Sequence, residues 1–206
     1  MAAGGFPVAS PTGHHYSNDP STKIQPKQSP MNAPPPPLPP ILNQPPPGWS
    51  SWRLVMTRAL KQAWLAGRRG EAPVGAVVIE AATGRVLAEA CNGPIGASDP
   101  TAHAEILALR QASQTIGNYR LNGAILAVTL EPCLMCLGAM VHARIGGLVI
   151  GAPDPKAGAV FSQMDGLALP FLNHRFPVLS GILAGECGAT LTRFFAGRRK
   201  DKKGMA

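Results

Sequence analysis

The stretch Ala124-Ile125-Leu126-Ala127-Val128-Thr129-Leu130-Glu131-Pro132-Cys133-Leu134-Met135-Cys136 decides how this chain folds. Ala124 to Thr129 is a short unbroken apolar run, which reads as a strand buried on both faces. Pro132 suits the first position of a helix, predicted to run to about Ala143. Leu148 to Gly151 is the next short strand.

Working outward, Gly75 to Ile79 and Arg85 to Ala90 are β-branched runs separated by the turn Ala82-Thr83-Gly84, which predicts an antiparallel hairpin. Ahead of it, Trp52, Val55, Met56, Ala59, Ala63 and Ala66 recur at helical spacing. Asp99-Pro100 reads as an N-cap and first helical residue, opening a helix to about Thr115. A weaker strand is expected near Phe176 to Ser180, and a last helix from about Leu183. Helices inserted between strands imply an α/β fold, a mixed sheet with helices on both faces.

Composition sets the domain limits. Of 22 prolines, 14 lie in residues 1–50, with Pro34-Pro35-Pro36-Pro37-Leu38-Pro39-Pro40 at their centre. Residues 1–48 are therefore expected to be a disordered Pro-rich arm outside the core. Residues 49–197 would form one domain, and 198–206 a basic tail containing Arg198-Arg199-Lys200-Asp201-Lys202-Lys203. No apolar run reaches the ~18 residues of a membrane span. No basic start leads into an apolar signal segment, and the arm carries only Lys23 and Lys27 as basic residues, so a cytoplasmic protein is expected. The net charge of +8 favours a polyanionic partner.

The chemistry concentrates in Thr101-Ala102-His103-Ala104-Glu105 and in Pro132-Cys133-Leu134-Met135-Cys136. Cys133 and Cys136 are three apart, so both sulfurs face one side of a helix and can reach one ion. His103 supplies a third ligand from a second helix, leaving the fourth tetrahedral position of a zinc ion open, as in catalytic sites. Zinc with two thiolates and a neutral imidazole sums to zero charge. Glu105 is too close to His103 to share the metal, yet it can lean over the open position, take a proton from water held there and pass it on. Cys133-x-x-Cys136 alone would equally suit half a zinc ribbon or a redox pair. Together with His103-x-Glu105 it matches the H-x-E…P-C-x-x-C signature of zinc-dependent nucleobase and nucleoside deaminases.

On these motifs the chain resembles the bacterial-type tRNA-specific adenosine deaminases of the cytidine/deoxycytidylate deaminase superfamily. Further support comes from Pro73-Val74-Gly75-Ala76-Val77, Asn92-Gly93-Pro94-Ile95-Gly96, Asn118-Tyr119-Arg120-Leu121, Ala143-Arg144-Ile145-Gly146 and Asn173-His174-Arg175. The resemblance spans Trp52 to about Arg199 and implies a three-layer α/β/α fold with about five strands. It implies hydrolytic deamination of the wobble adenosine (position 34) of a tRNA anticodon to inosine, with one Zn2+ per subunit and a homodimer. His103, Cys133 and Cys136 would bind the metal, and Glu105 would be the catalytic acid/base. Substrate positions carried over are Asn92, Ala104, Arg144, Asp154, Lys156, Asn173, His174 and Arg175. Asn92 could instead simply shape the turn before Pro94.

Three departures from the family stand out: Cys91 replaces a frequent aromatic, Pro153 and Pro155 flank Asp154, and Ala168-Leu169 replaces a more polar pair. Cys91 and Cys187 are expected to be buried small apolar residues. Phe194 or Phe195 could stack on a nucleotide, one of the two being core. Two alternatives remain open at this level: a small-molecule purine deaminase acting on guanine, and a non-catalytic zinc-containing RNA-binding module.

Overall fold

A computed structural model describes residues 40–204. The central sheet has five strands: β1 (Gly75–Glu80), β2 (Val86–Cys91), β3 (Ala124–Leu130), β4 (Gly147–Ala152) and β5 (Val178–Leu179). Their order is β2-β1-β3-β4-β5. β1 is antiparallel to both β2 and β3, while β3, β4 and β5 run parallel. The mixed α/β sheet expected from the sequence is present.

Period-two alternation divides each central strand between two cores. Val77, Ile79, Ile125, Ala127 and Val149 pack with α1 (Trp52–Arg68) and with Leu183 and Cys187 beside α5 (Ala184–Gly204). Ala76, Val78, Leu126, Val128, Leu148 and Ile150 pack beneath α3 (Ala104–Ile116) and α4 (Leu134–Ala143). Helices on both faces explain why β3 and β4 are apolar without interruption. All six α1 positions picked out by spacing are buried. Gly75 is required where α1 crosses β1, because a Cβ there would collide with Ala59 O and Ala63 N.

Several expected boundaries move. The helix predicted from Pro100 begins at Ala104, because the Asp99 carboxylate instead closes a turn by accepting Thr101 N and Thr101 Oγ1, both at 2.7 Å. The helix predicted from Pro132 begins at Leu134, Cys133 being extended at φ −74°, ψ 172°. Pro94 opens an unforeseen short helix, α2 (Pro94–Ala97). The last helix, expected to run from about Leu183 into the basic tail, is α5, which continues through that tail to Gly204.

The arm expected from composition mostly lies outside the described residues. Its last part, however, packs on the domain. Leu42 is 2% exposed within the α1-side core. Trp49 Nε1 donates to Gly84 O at 2.8 Å. An apolar residue inside a Pro-rich tract still gains by burial wherever a groove accepts it.

Candidate metal centre and the loops that hold it

Two helix starts meet beyond the carboxyl end of β3, and each begins with a ligand. His103 is the N-cap of α3 and Cys133 the N-cap of α4, both in extended conformation. An N-cap side chain lies beside that of the residue three further on, which brings Cys136 to Cys133. His103 Nδ1 lies 3.7 Å from Cys133 Sγ and 3.6 Å from Cys136 Sγ. All three ligand atoms fall within 4.8 Å of one another. Tetrahedral zinc with ordinary Zn–S and Zn–N bonds separates sulfur from nitrogen by about 3.6 Å, so these residues fit that ion.

The electrostatics agree with such a role. The hydrogen bond from the Cys136 thiol holds Cys133 down at about 4, while Cys136, keeping that proton, is pushed upward. Without a cation the pair tolerates one thiolate and resists a second; a divalent ion removes that conflict. Glu105 is 4% exposed, and burial raises its carboxyl above the usual range.

Asn92, at the end of β2, is buried, and its Oδ1 accepts Ala104 N–H at 3.1 Å. The pocket amide is thereby anchored to the first residue of α3. Ala104 itself is fully buried, its backbone N–H committed to this bond.

The other sequence-predicted positions lie on two loops. Asp154 Oδ1 accepts the backbone N–H of Lys156 at 2.9 Å, and Lys156 is exposed. Arg144 Nη1 donates to Asn173 O at 3.0 Å, and His174 Nε2 pairs with Ile145 O at 2.8 Å. The Arg175 guanidinium donates to the carbonyls of Leu167, Leu169 and Leu172. These side chains knit residues 166–175 together and against the end of α4. Cys187 is buried as expected and pushed up to about 12 by that burial. Cys91 is half-buried rather than buried, its Sγ 3.5 Å from Arg69 Nη1. Phe194 is half-buried and Phe195 is 46% exposed, so neither is core.

Two further acids escape a reading of the sequence. Glu131, 2% exposed, accepts backbone N–H groups from Asp154, Val160, Phe161 and Ser162 at 2.8–3.1 Å, and the Ser162 hydroxyl. Burial pushes this carboxyl up, but those bonds outweigh it and hold it below the usual range. Gly158 has to lack a side chain, since a Cβ would strike the Glu131 carboxylate. Glu71, 3% exposed, accepts Gly96 N at 2.7 Å and Ile95 N at 3.3 Å, securing α2 beside Asn92. An acid closing an apolar strand, as Glu131 closes β3, is the one clue the sequence offers: an anion so placed has to find donors.

The zinc-binding region of cytidine and deoxycytidylate deaminases matches residues 50–152. The chain belongs to the cytidine and deoxycytidylate deaminase family. Among relatives of this deaminase, the tRNA-specific adenosine deaminase of Haemophilus influenzae is 48% identical over 149 residues, 72% of this chain and 86% of that protein. The tRNA-specific adenosine deaminase of Bacillus subtilis is 43% identical over 150 residues, 73% and 92% of the two chains. A structure solved in a study of A-to-I editing by tRNA:A34 deaminases superposes with a TM-score of 0.65 at 44% identity, covering 67% of this chain and 99% of that one. Guanine deaminase from Nitrosomonas europaea superposes at 0.63 with 26% identity, covering 77% and 94%. The chain is thus an enzyme of a zinc-dependent deaminase family, with the five-stranded fold of these neighbours. Among the described residues no helix is long and apolar enough to cross a membrane.

Proposed function

We propose that this deaminase converts the wobble adenosine of a tRNA anticodon to inosine, consuming water and releasing ammonia. The observation that carries it is likeness at 43–48% identity, over 72–73% of the chain, to tRNA-specific adenosine deaminases, against 26% for a guanine deaminase. His103, Cys133 and Cys136 would hold one zinc ion per subunit. When bound, the ion supplies the acidity that makes a water molecule nucleophilic near neutral pH.

Glu105 does the proton work. Its carboxylate takes a proton from water and delivers it to the purine ring nitrogen as C6 is attacked. It then takes the proton of the new C6 hydroxyl and passes it to the amine, which leaves as ammonia while the C6 carbonyl forms. Burial raises the carboxyl above its ordinary range, which makes the protonated form easier to reach and suits the side chain to both halves of the cycle. Asn92, with its oxygen committed to Ala104, directs its amide N–H groups to the purine. An anticodon loop is single-stranded and lets the target base be splayed into such a pocket.

Asp154, Lys156, Arg144, Asn173, His174 and Arg175 lie on or beside the loops that would border the RNA. The enzyme is read as a cytoplasmic homodimer, to which the exposed Leu134, Met135 and Tyr119 offer an apolar surface on and beside α3 and α4. Sedimentation at micromolar concentration checks the dimer. Incubating the purified protein with an unmodified anticodon stem-loop, and separately with guanine, tests the activity. Inosine from the hairpin is the expected result; ammonia from guanine alone overturns it.

A further inference from the structure

Resting on the tRNA reading, we propose that Arg68, Arg69 and Arg198 form a second, electrostatic contact for the RNA substrate, gripping phosphates beside the mouth of the pocket. Arg68 and Arg69 close α1 and Arg198 lies in the second half of α5, and a tertiary contact brings the two segments together. Arg198 Nη2 donates to Gly70 O at 2.6 Å, fastening α5 to the turn that leaves α1. All three arginines are exposed.

The cluster connects to the site by short steps. Arg69 Nη1 lies 3.5 Å from the sulfur of Cys91, the residue before Asn92. Gly70 precedes Glu71, which holds the backbone of Ile95 and Gly96. Asn92 in turn binds Ala104, between His103 and Glu105.

Their charge is uncompensated among the described side chains. Among the described residues, carboxylates lie within 4 Å of Arg53, Arg58, Arg85 and Arg110, but not of Arg68, Arg69 or Arg198. The nearby Glu71 carboxylate is buried and spent on backbone N–H groups. Two of the arginines rest on rings: Arg68 sits 4.8 Å from the Trp64 centroid and Arg198 5.4 Å from that of Phe194. Stacking of this kind holds a guanidinium plane steady while its remaining donors face outward. Forked donors without a carboxylate, beside a pocket for a nucleic-acid base, match phosphate oxygens. Serving the carbonyl end of α1 takes up one donor of Arg198, at Gly70 O, and leaves the rest of its fork to a phosphate.

The test compares wild type with the triple variant R68A/R69A/R198A in the zinc-loaded full chain, using an anticodon stem-loop at several salt concentrations. The slope of log Kd against log[salt] should fall by about 2, at roughly 0.7 for each single-stranded phosphate released. KM for the hairpin should rise roughly tenfold at moderate salt, with kcat unchanged. R68K/R69K/R198K should recover most of the slope, and R85A, far along the hairpin, should leave it alone. An unchanged slope and KM in a triple variant that retains its zinc overturns the proposal while leaving the tRNA reading intact. A wild type that binds the hairpin steeply with salt but forms no inosine overturns the tRNA reading and leaves the patch standing.

Discussion

Glu105 and Glu131 stand in the same setting and do opposite things. Each is a buried carboxylate two residues from a metal-ligand position. Glu131 meets four backbone N–H groups and a hydroxyl, and its charge is locked in place. Glu105 has no such cradle. Burial works against its charge and raises the carboxyl above its ordinary range. In the proposed mechanism the first acid exchanges a proton with the reaction; the other holds the 154–162 loop against the end of β3. Surroundings, not residue type, separate a catalytic acid from a structural one.

The strongest way to break this comparison is at Glu105. Glu105→Gln should lower kcat by about 10²–10⁴-fold, with zinc content and unfolding midpoint close to wild type. Retained turnover would put the proton work elsewhere. Glu131→Gln should do the reverse. It keeps one oxygen for the Val160, Phe161 and Ser162 N–H groups but sets an NH2 against the Asp154 N–H and the Ser162 hydroxyl, and should cost about 3 kcal/mol in urea unfolding of the zinc-saturated protein. Its kcat per folded molecule should stay within about tenfold of wild type. Comparable loss of kcat in both variants would erase the distinction.

Acid sharpens the same contrast. Because the folded-state value of Glu131 lies below its ordinary one, its stabilisation is complete above the unfolded value near ~4.3 and is lost as pH falls through the folded value. The stability gap between wild type and Glu131→Gln should therefore narrow below about pH 4, as followed by urea midpoints across pH.

The smallest effect concerns anchoring outside the site. Deleting residues 1–39 should leave stability unchanged. Deleting 1–48 also removes the buried Leu42 and the Trp49-adjacent turn, and should cost about 2 kcal/mol. Equal midpoints for the two truncations would show that the Leu42 contact adds nothing.

Much of the fold is legible in the sequence. Strands β1 to β4 follow from apolar runs of strand length, and α1 from six residues at helical spacing, because burial on two sheet faces or one helix face imposes those periods. Local signals place the starts of α3 and α4 too early, at Asp99-Pro100 and at Pro132. Both prolines are good first residues of a helix, but Asp99 turns back on Thr101, and Pro132 O is engaged by Ala159 N at 2.9 Å. The later starts put His103 and Cys133 at the caps.

The sequence by itself determined the α/β order of elements and singled out the candidate ligands with their neighbouring acid, since residue chemistry and spacing are local properties. Only the tertiary structure decided what each buried carboxylate does. The donors that occupy Glu131 come from 23 to 31 residues further along the chain, those on Glu71 from 24 and 25, and Arg198 reaches Gly70 across 128. A side chain's charge state and work depend on which groups the fold sets around it, and no local pattern records that.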